Sequence, residues 1–221
     1  MSEDFFKNGE RNKLFIYRNQ LTWSKDGDRK FVTTPDGVRR EYVSPSSELK
    51  RTADMSWHDA WIKKVGKTEA DRIGKEARTA GTATHEIIET KQDSEKLGSW
   101  LGTGKFVTQE CALWLPLADG RWLFGFSDAL ITRDGYNVAV DFKTAKKPKK
   151  EEWAGDAKMQ VSLYCAMAHH TYGLSFQGAE VVYLLPEGEP QIFRLNRQAI
   201  RMNLNLFWRR TKLSPLITHE T

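Results

Sequence analysis

The sequence is poor in residues that would staple a chain or anchor it in a bilayer. It has two cysteines, Cys111 and Cys165, too few for an iron–sulfur cluster, a four-thiolate zinc site or a disulfide framework. No stretch approaches the roughly 18 consecutive apolar residues of a membrane-crossing helix, so no membrane partner is expected. The opening MSEDFF is acidic and has no basic flank followed by an apolar run, so no secretory signal is expected there. The phosphate loop G-x-x-x-x-G-K-[ST] is missing, so ATP is not an expected cofactor. There is no internal repeat, and the one biased stretch is the short basic run 146–150. Together these absences point to a soluble protein of a reducing, cytoplasmic compartment.

What is present builds a core. In 221 residues, 39% are hydrophobic, with 11 Phe and 8 Trp, which excludes a disordered or collagen-like chain and suits one substantial domain with a small appended lobe. Lys and Arg exceed Asp and Glu by 34 to 29. That mild excess suits a polyanionic partner but is shared by many ordinary enzymes.

Residues 13–44 carry short alternating apolar stretches broken by Lys25-Asp26-Gly27 and Pro35-Asp36-Gly37. They predict hairpins in a small N-terminal β-rich lobe, residues 1–45, ahead of a core at 46–221. Residues 46–92 read as helical, with Thr68-Glu69-Ala70-Asp71 suited to a capping box. A β meander follows: FVTQECALWLPL, RWLFGFSDALIT and YNVAVDFKT, separated by Ala118-Asp119-Gly120 and Arg133-Asp134-Gly135. Residues 151–173 predict a helix, VVYLLP and QIFRL a hairpin, and Asn196–Leu213 a basic closing helix. The plan is α+β (α/β), with a mixed central β-sheet flanked by helices.

The second hairpin carries the chemistry. If Asp134-Gly135 forms a two-residue type I′ turn, Arg133 pairs with Tyr136, and counting back along both strands brings Asp128 opposite Asp141. Opposed residues share a face, with Cβ atoms roughly 4.5–5.5 Å apart. Two like charges there repel unless a divalent cation bridges them. Lys143, two residues beyond Asp141, falls on the same face. Two acids and a lysine so arranged suit phosphodiester hydrolysis: the acids hold a metal, and the lysine orients water or stabilises developing charge. Alone, Asp-x-Lys is more often a surface ion pair. The opposed second acid and the apolar run Val138-Ala139-Val140 favour the metal reading.

At these residues the chain resembles the PD-(D/E)xK nuclease superfamily, within it the RecB-like branch that includes mitochondrial genome maintenance exonucleases and phage exonucleases. Four elements recur in the family's order: GTATHEIIE at 81–89, GFSD at 125–128, VDFK at 140–143 and QVSLY at 160–164. The resemblance implies a restriction-endonuclease-like core and a Mg²⁺ or Mn²⁺ ion held by Asp128, Asp141, the Phe142 carbonyl and His85. Lys143 would be the catalytic lysine. An imidazole ligand would tilt preference toward Mn²⁺. Gln160 and Tyr164, four apart on one helix face, would support the site or touch DNA. Glu89, one turn beyond His85, would orient it, and Glu110 is a strand acid near the site. The alternatives are a satisfied core histidine at 85, a solvated acid at 89 and ordinary packing for Gln160 and Tyr164.

For substrate, Lys146, Lys147, Lys149 and Lys150 follow the catalytic strand directly, and Arg201, Arg209, Arg210 and Lys212 lie in the closing helix. Such loops hold a nucleic-acid backbone through phosphate contacts that carry no sequence information. A solvated lysine loop is the plainer alternative. Trp57, Trp61, Trp100 and Trp153 stand in polar segments where one or two would stack on unpaired bases. The resemblance implies DNA, as single strands or ends, cut exonucleolytically. It leaves room for a separate helicase or recombinase and, for a phage protein, for the host cytoplasm. A structure-selective endonuclease and a silent DNA-binding subunit are the competing readings.

Overall fold

The computed structural model describes residues 15–76, 79 and 99–216. Among them, the strands form two five-stranded sheets. The first has the spatial order β1 (Thr22–Asp26), β2 (Arg29–Thr33), β3 (Arg39–Val43), β6 (Trp122–Phe126), β5 (Ala112–Pro116). The second runs β10 (Gln191–Asn196), β9 (Gly178–Leu184), β8 (Tyr136–Thr144), β7 (Ala129–Arg133), β4 (Lys105–Gln109). Among the described strands only β3–β6 and β8–β9 pair in parallel. Helices α1 (Pro45–Arg51), α2 (Ser56–Val65), α3 (Gly155–Tyr172) and α4 (Arg197–Thr211) complete the mixed α+β, restriction-endonuclease-like plan.

The N-terminal strands are not isolated from the rest. β3 pairs with β6 through Tyr42↔Trp122 and Val43↔Leu123, so residues read as a lobe share a sheet with the meander. Ser44 then caps α1, its hydroxyl accepting the Ser47 N–H at 3.2 Å with Pro45 in the first turn. The helical segment expected over 46–92 is broken at Ala53 and again at Gly66, whose φ is +85°. Thr68 lies inside the helical turn that starts at residue 67 rather than capping it, because the Ala70 N–H already bonds Gly66 O at 3.0 Å.

Two stretches expected as single strands bend. FVTQECALWLPL divides into β4 and β5 at Glu110-Cys111, and RWLFGFSDALIT into β6 and β7 at Ser127-Asp128. Each half pairs within a different sheet, and Glu110 takes a left-handed φ of +48° at the corner. Ladder-like bonds cross the corner, Glu110 N–H to Asp128 O at 3.3 Å and Ser127 N–H to Cys111 O at 3.1 Å. Strands that switch sheets through such bends turn corners in packed β structures. Short polar breaks, Gln109-Glu110 and Ser127-Asp128, fall at both corners, but nothing local says which sheet each half joins.

α3 packs against β5 of one sheet and β8 and β9 of the other. It is therefore buried on several sides, from Ala157 through Val161, Tyr164 and Cys165 to Ala168, as a helix apolar on more than one stripe requires. The main core lies here, with Leu113, Leu123, Ala139, Val161, Leu163, Met167, Val181 and Phe207. Residues Val138 to Phe142 of β8 are buried on both faces, the pattern of a central strand with a parallel neighbour. On its opposite face Trp100, Ile131, Val140, Phe142 and Val182 form a second cluster. Buried Glu180 ties that side down, accepting from Trp100 Nε1 at 2.7 Å and pairing with Arg133.

Candidate active site

The β7–β8 hairpin turns at Asp134-Gly135 with φ of +51° and +81°. Two positive φ values are what a type I′ turn needs, and only glycine adopts the second without strain. The register then runs from Arg133↔Tyr136 to Ala129↔Val140. One step beyond the last pair stand Asp128 and Asp141, the first 9% exposed and the second fully buried. Asp128 Oδ2 accepts the Phe142 backbone N–H at 2.6 Å, which holds its carboxylate against the partner strand.

Lys143 reaches back along β8 so that Nζ lies 2.8 Å from Asp141 Oδ1. The same Nζ donates to Gln160 Oε1 at 3.3 Å, and Gln160 Nε2 donates to Tyr164 OH at 2.6 Å. Oδ2 of Asp141 is buried and accepts no hydrogen bond from the described residues. The strand period supplies Asp141 and Lys143, and the four-residue spacing on α3 supplies Gln160 and Tyr164. Packing of α3 onto β8 brings the two pairs together.

Electrostatics follow from burial. Desolvation opposes the charge on Lys143, but Asp141 and Asp128 outweigh it and hold the ammonium above its ordinary pKa. Burial, then Asp128 and Asp141, pushes the Tyr164 phenol well up. It stays protonated as a neutral support for Gln160. Lys143 is thus a fixed cation between a buried carboxylate and an amide.

Tyr183 is a member of this neighbourhood that sequence reasoning missed. It is buried and sits directly beside Lys143 in the parallel β8–β9 register. Its phenol is raised by burial and Asp141 and lowered by Lys143. Parallel pairing between strands separated by a helix leaves no local signal, so only the fold reveals it. Glu110 adjoins Asp128 through the corner hydrogen bond already described.

The other expected residues divide. His85 and Glu89 lie outside the described residues. Lys146, Lys147 and Lys150 are exposed in the loop after β8, and Lys149 is anchored there by paired backbone bonds to the Gln191 side chain at 2.7 and 2.8 Å. Trp153 is exposed beside Lys150, whose Nζ lies 5.4 Å from its ring. Two of the residues take structural roles instead. Trp100 is buried with its indole N–H on Glu180, so it presents no stacking face. Arg210 bonds Asp156 and the Leu49 carbonyl, each at 2.5 Å, tying α4 to α3 and α1 instead of facing a ligand.

Whether these residues suit a divalent metal is a question of donor chemistry. Among the described residues no cluster of three His, Cys, Asp or Glu side chains forms. Two carboxylates do converge from adjacent strands beside the Phe142 backbone. Hard oxygen donors of this kind suit Mg²⁺ or Mn²⁺ rather than a thiophilic ion. The set fits.

Two acids and a lysine thus meet on a bent hairpin, backed by a glutamine-bearing helix. The chain belongs to the PD-(D/E)XK nuclease superfamily, whose sequence profile matches residues 32–206. Nucleases of this superfamily generally use divalent ions such as Mg²⁺ or Mn²⁺. No curated protein matches the sequence. Among solved structures, SSO0001 is similar with a TM-score of 0.45 and 12% identity, over 77% of this chain and 75% of that one. A candidate exonuclease from Eubacterium rectale gives 0.42 and 11%, over 81% and 86%. The alkaline exonuclease LHK-Exo from Laribacter hongkongensis gives 0.37 and 11%, over 77% and 88%.

Proposed function

We propose that this nuclease is a Mg²⁺- or Mn²⁺-dependent deoxyribonuclease, an exonuclease acting on single strands or DNA ends. The observation that carries the reading is the juxtaposition of Asp128 and Asp141 at the end of one ladder, with Lys143 fixed against Asp141. In this reading Asp128, Asp141, the Phe142 carbonyl and His85 hold the ion. When bound, the ion lowers the pKa of water and neutralises phosphate charge.

The chain's own residues do the rest. Asp141 and Gln160 aim the Lys143 ammonium, which donates to the oxygen where charge develops on the scissile phosphate. The donor-only Lys143 ammonium keeps Gln160 Oε1 turned toward it, and the Tyr164 hydroxyl receives the Nε2 donor on the other side. The exposed lysines at 146, 147 and 150 hold flanking phosphates without reading sequence. In this reading a separate helicase or recombinase opens a duplex ahead of it.

The test is incubation with end-labelled linear and closed-circular single strands and with flap substrates, in Mg²⁺, Mn²⁺ or EDTA. An exonuclease degrades the linear strand only, and EDTA stops it. Nicking of the circle or specific flap cleavage makes it an endonuclease. No cleavage of any substrate in either metal leaves a silent DNA-binding subunit.

A further inference from the structure

The sheet of β1, β2, β3, β6 and β5 is strongly curled. Trp23 of β1 reaches across to Phe124 and Phe126 of β6, at 5.6 and 6.1 Å between ring centroids, although β2 and β3 lie between them. Strand alternation gives its two faces different charge arrangements. On one face Arg29 is compensated by Glu41 at 2.7 Å, and Arg39 is held by neutral partners, bonding Ser24 while lying 3.7 Å from the Phe31 ring centroid.

The other face carries Trp23, Lys25, Lys30 and Arg40. Lys25 and Lys30 are direct cross-strand partners, both exposed, and neither has a carboxylate partner among the described residues. Opposed like charges weaken a sheet, so this pair contributes nothing to the fold. Among the described residues the Arg40 guanidinium bonds only its neighbour's carbonyl, Arg39 O, at 3.0 Å. Beside them Arg18 lies 4.2 Å over Phe126 and 5.9 Å from Trp23, again with no carboxylate among the described residues. Trp23 is 38% exposed.

From this we infer that the Arg18–Trp23–Lys25–Lys30–Arg40 face is a platform for an unpaired nucleic-acid strand that feeds the Asp128 site. Uncompensated cations complement a phosphate backbone, and an exposed aromatic such as Trp23 binds bases through faces that every base has. The platform also lies at the right place. Phe126, under Arg18, ends β6, and Asp128 stands two residues on, at the corner into β7, so the two are at most about 7 Å apart along the chain. A strand stacked on Trp23, whose ring lies 6.1 Å from that of Phe126, therefore has phosphates within reach of the acids.

The inference rests on the nuclease reading above, and binding is measured separately from cleavage so that each can fail alone. In the Asp141→Asn background with EDTA, fluorescein-labelled oligothymidylate is titrated by anisotropy, with an abasic strand, a duplex and oligouridylate alongside. Trp23→Ala should weaken binding of the base-bearing strand about tenfold and leave the abasic strand unchanged. Trp23→Phe should recover most of the loss. Lys25→Gln with Lys30→Gln, which relieves a repulsion and so preserves the fold, should lower the slope of log affinity against log salt by about 1.4. The same pattern with oligouridylate supports the platform and makes it indifferent to the sugar. Affinity within twofold of the parent for Trp23→Ala, an unchanged salt slope, or equal binding of the duplex overturns the inference. If the pattern appears but the parent cuts nothing in Mn²⁺, the platform stands and the nuclease reading falls.

Discussion

Asp128 Oδ2 accepts the backbone N–H of Phe142 at 2.6 Å, so the acid on one strand is anchored by the residue after the acid on the other. This bond sets the two carboxylates side by side without requiring a metal to hold them. It also shapes what a substitution does. Asp128→Asn retains an amide oxygen to accept the same N–H but removes one of two neighbouring negative charges. The variant should match or exceed the parent's melting temperature in EDTA, yet be inactive, a trade of function against stability. Millimolar Mn²⁺ should raise the parent's melting temperature by mass action and the variant's less. Equal metal-induced shifts would remove Asp128 from the ligand set.

Gln160 is the second acceptor of Lys143, at 3.3 Å. Gln160→Ala leaves the ammonium held by Asp141 alone and should lower kcat about tenfold, on the order of the 1–1.5 kcal/mol a single hydrogen bond contributes. Tyr164→Phe, which removes only the acceptor of the Gln160 amide, should cost less. Single-turnover rates at saturating metal separate these. A Gln160→Ala rate equal to the parent's would return both residues to ordinary packing.

Replacing Lys146, Lys147, Lys149 and Lys150 by Gln should weaken DNA binding for all sequences alike and flatten its salt dependence. Lys149 is the least exposed and its backbone is pinned by Gln191, so its side chain should contribute least. Fluorescence titrations from low to physiological salt give the slope, and a slope identical to the parent's would mean the loop does not touch phosphates.

Burial pushes the thiols of Cys111 and Cys165 up to about 12. A thiol pKa raised in the folded state means that the unfolded chain, near the ordinary 9.0, ionises first. The corresponding stability is complete below about pH 9 and is lost as pH rises toward 12. Neither thiol should react with a disulfide reagent at pH 8 until denaturant is added, and the urea midpoint should fall above pH 9. Rapid reaction of the native protein would contradict the buried placement of both residues.

Much of the site was legible because local rules reach it. Asp134-Gly135 announces its turn, the turn sets the register, and the register puts Asp128 against Asp141. The four-residue spacing of Gln160 and Tyr164 needs only a helix. What local rules do not reach is how strands divide between sheets. The corners at Glu110-Cys111 and Ser127-Asp128 fall at short polar breaks that do not say which sheet each half joins. Tyr183 meets Lys143 through a parallel pairing across a long crossover. Trp100 and Arg210 read as surface residues because their partners, Glu180 and Asp156, are distant in sequence.

The central claim is that Asp141 and Lys143 perform phosphodiester hydrolysis with a divalent ion. The most direct measurement is turnover of end-labelled single-stranded DNA by the parent, Asp141→Asn and Lys143→Ala in Mn²⁺, with circular dichroism to verify the fold. Each variant should retain the parent's fold and lose activity by about 10²–10³-fold or more, the scale of removing one charge-stabilising group from an active site. Cleavage by either folded variant within a few-fold of the parent would contradict the assignment.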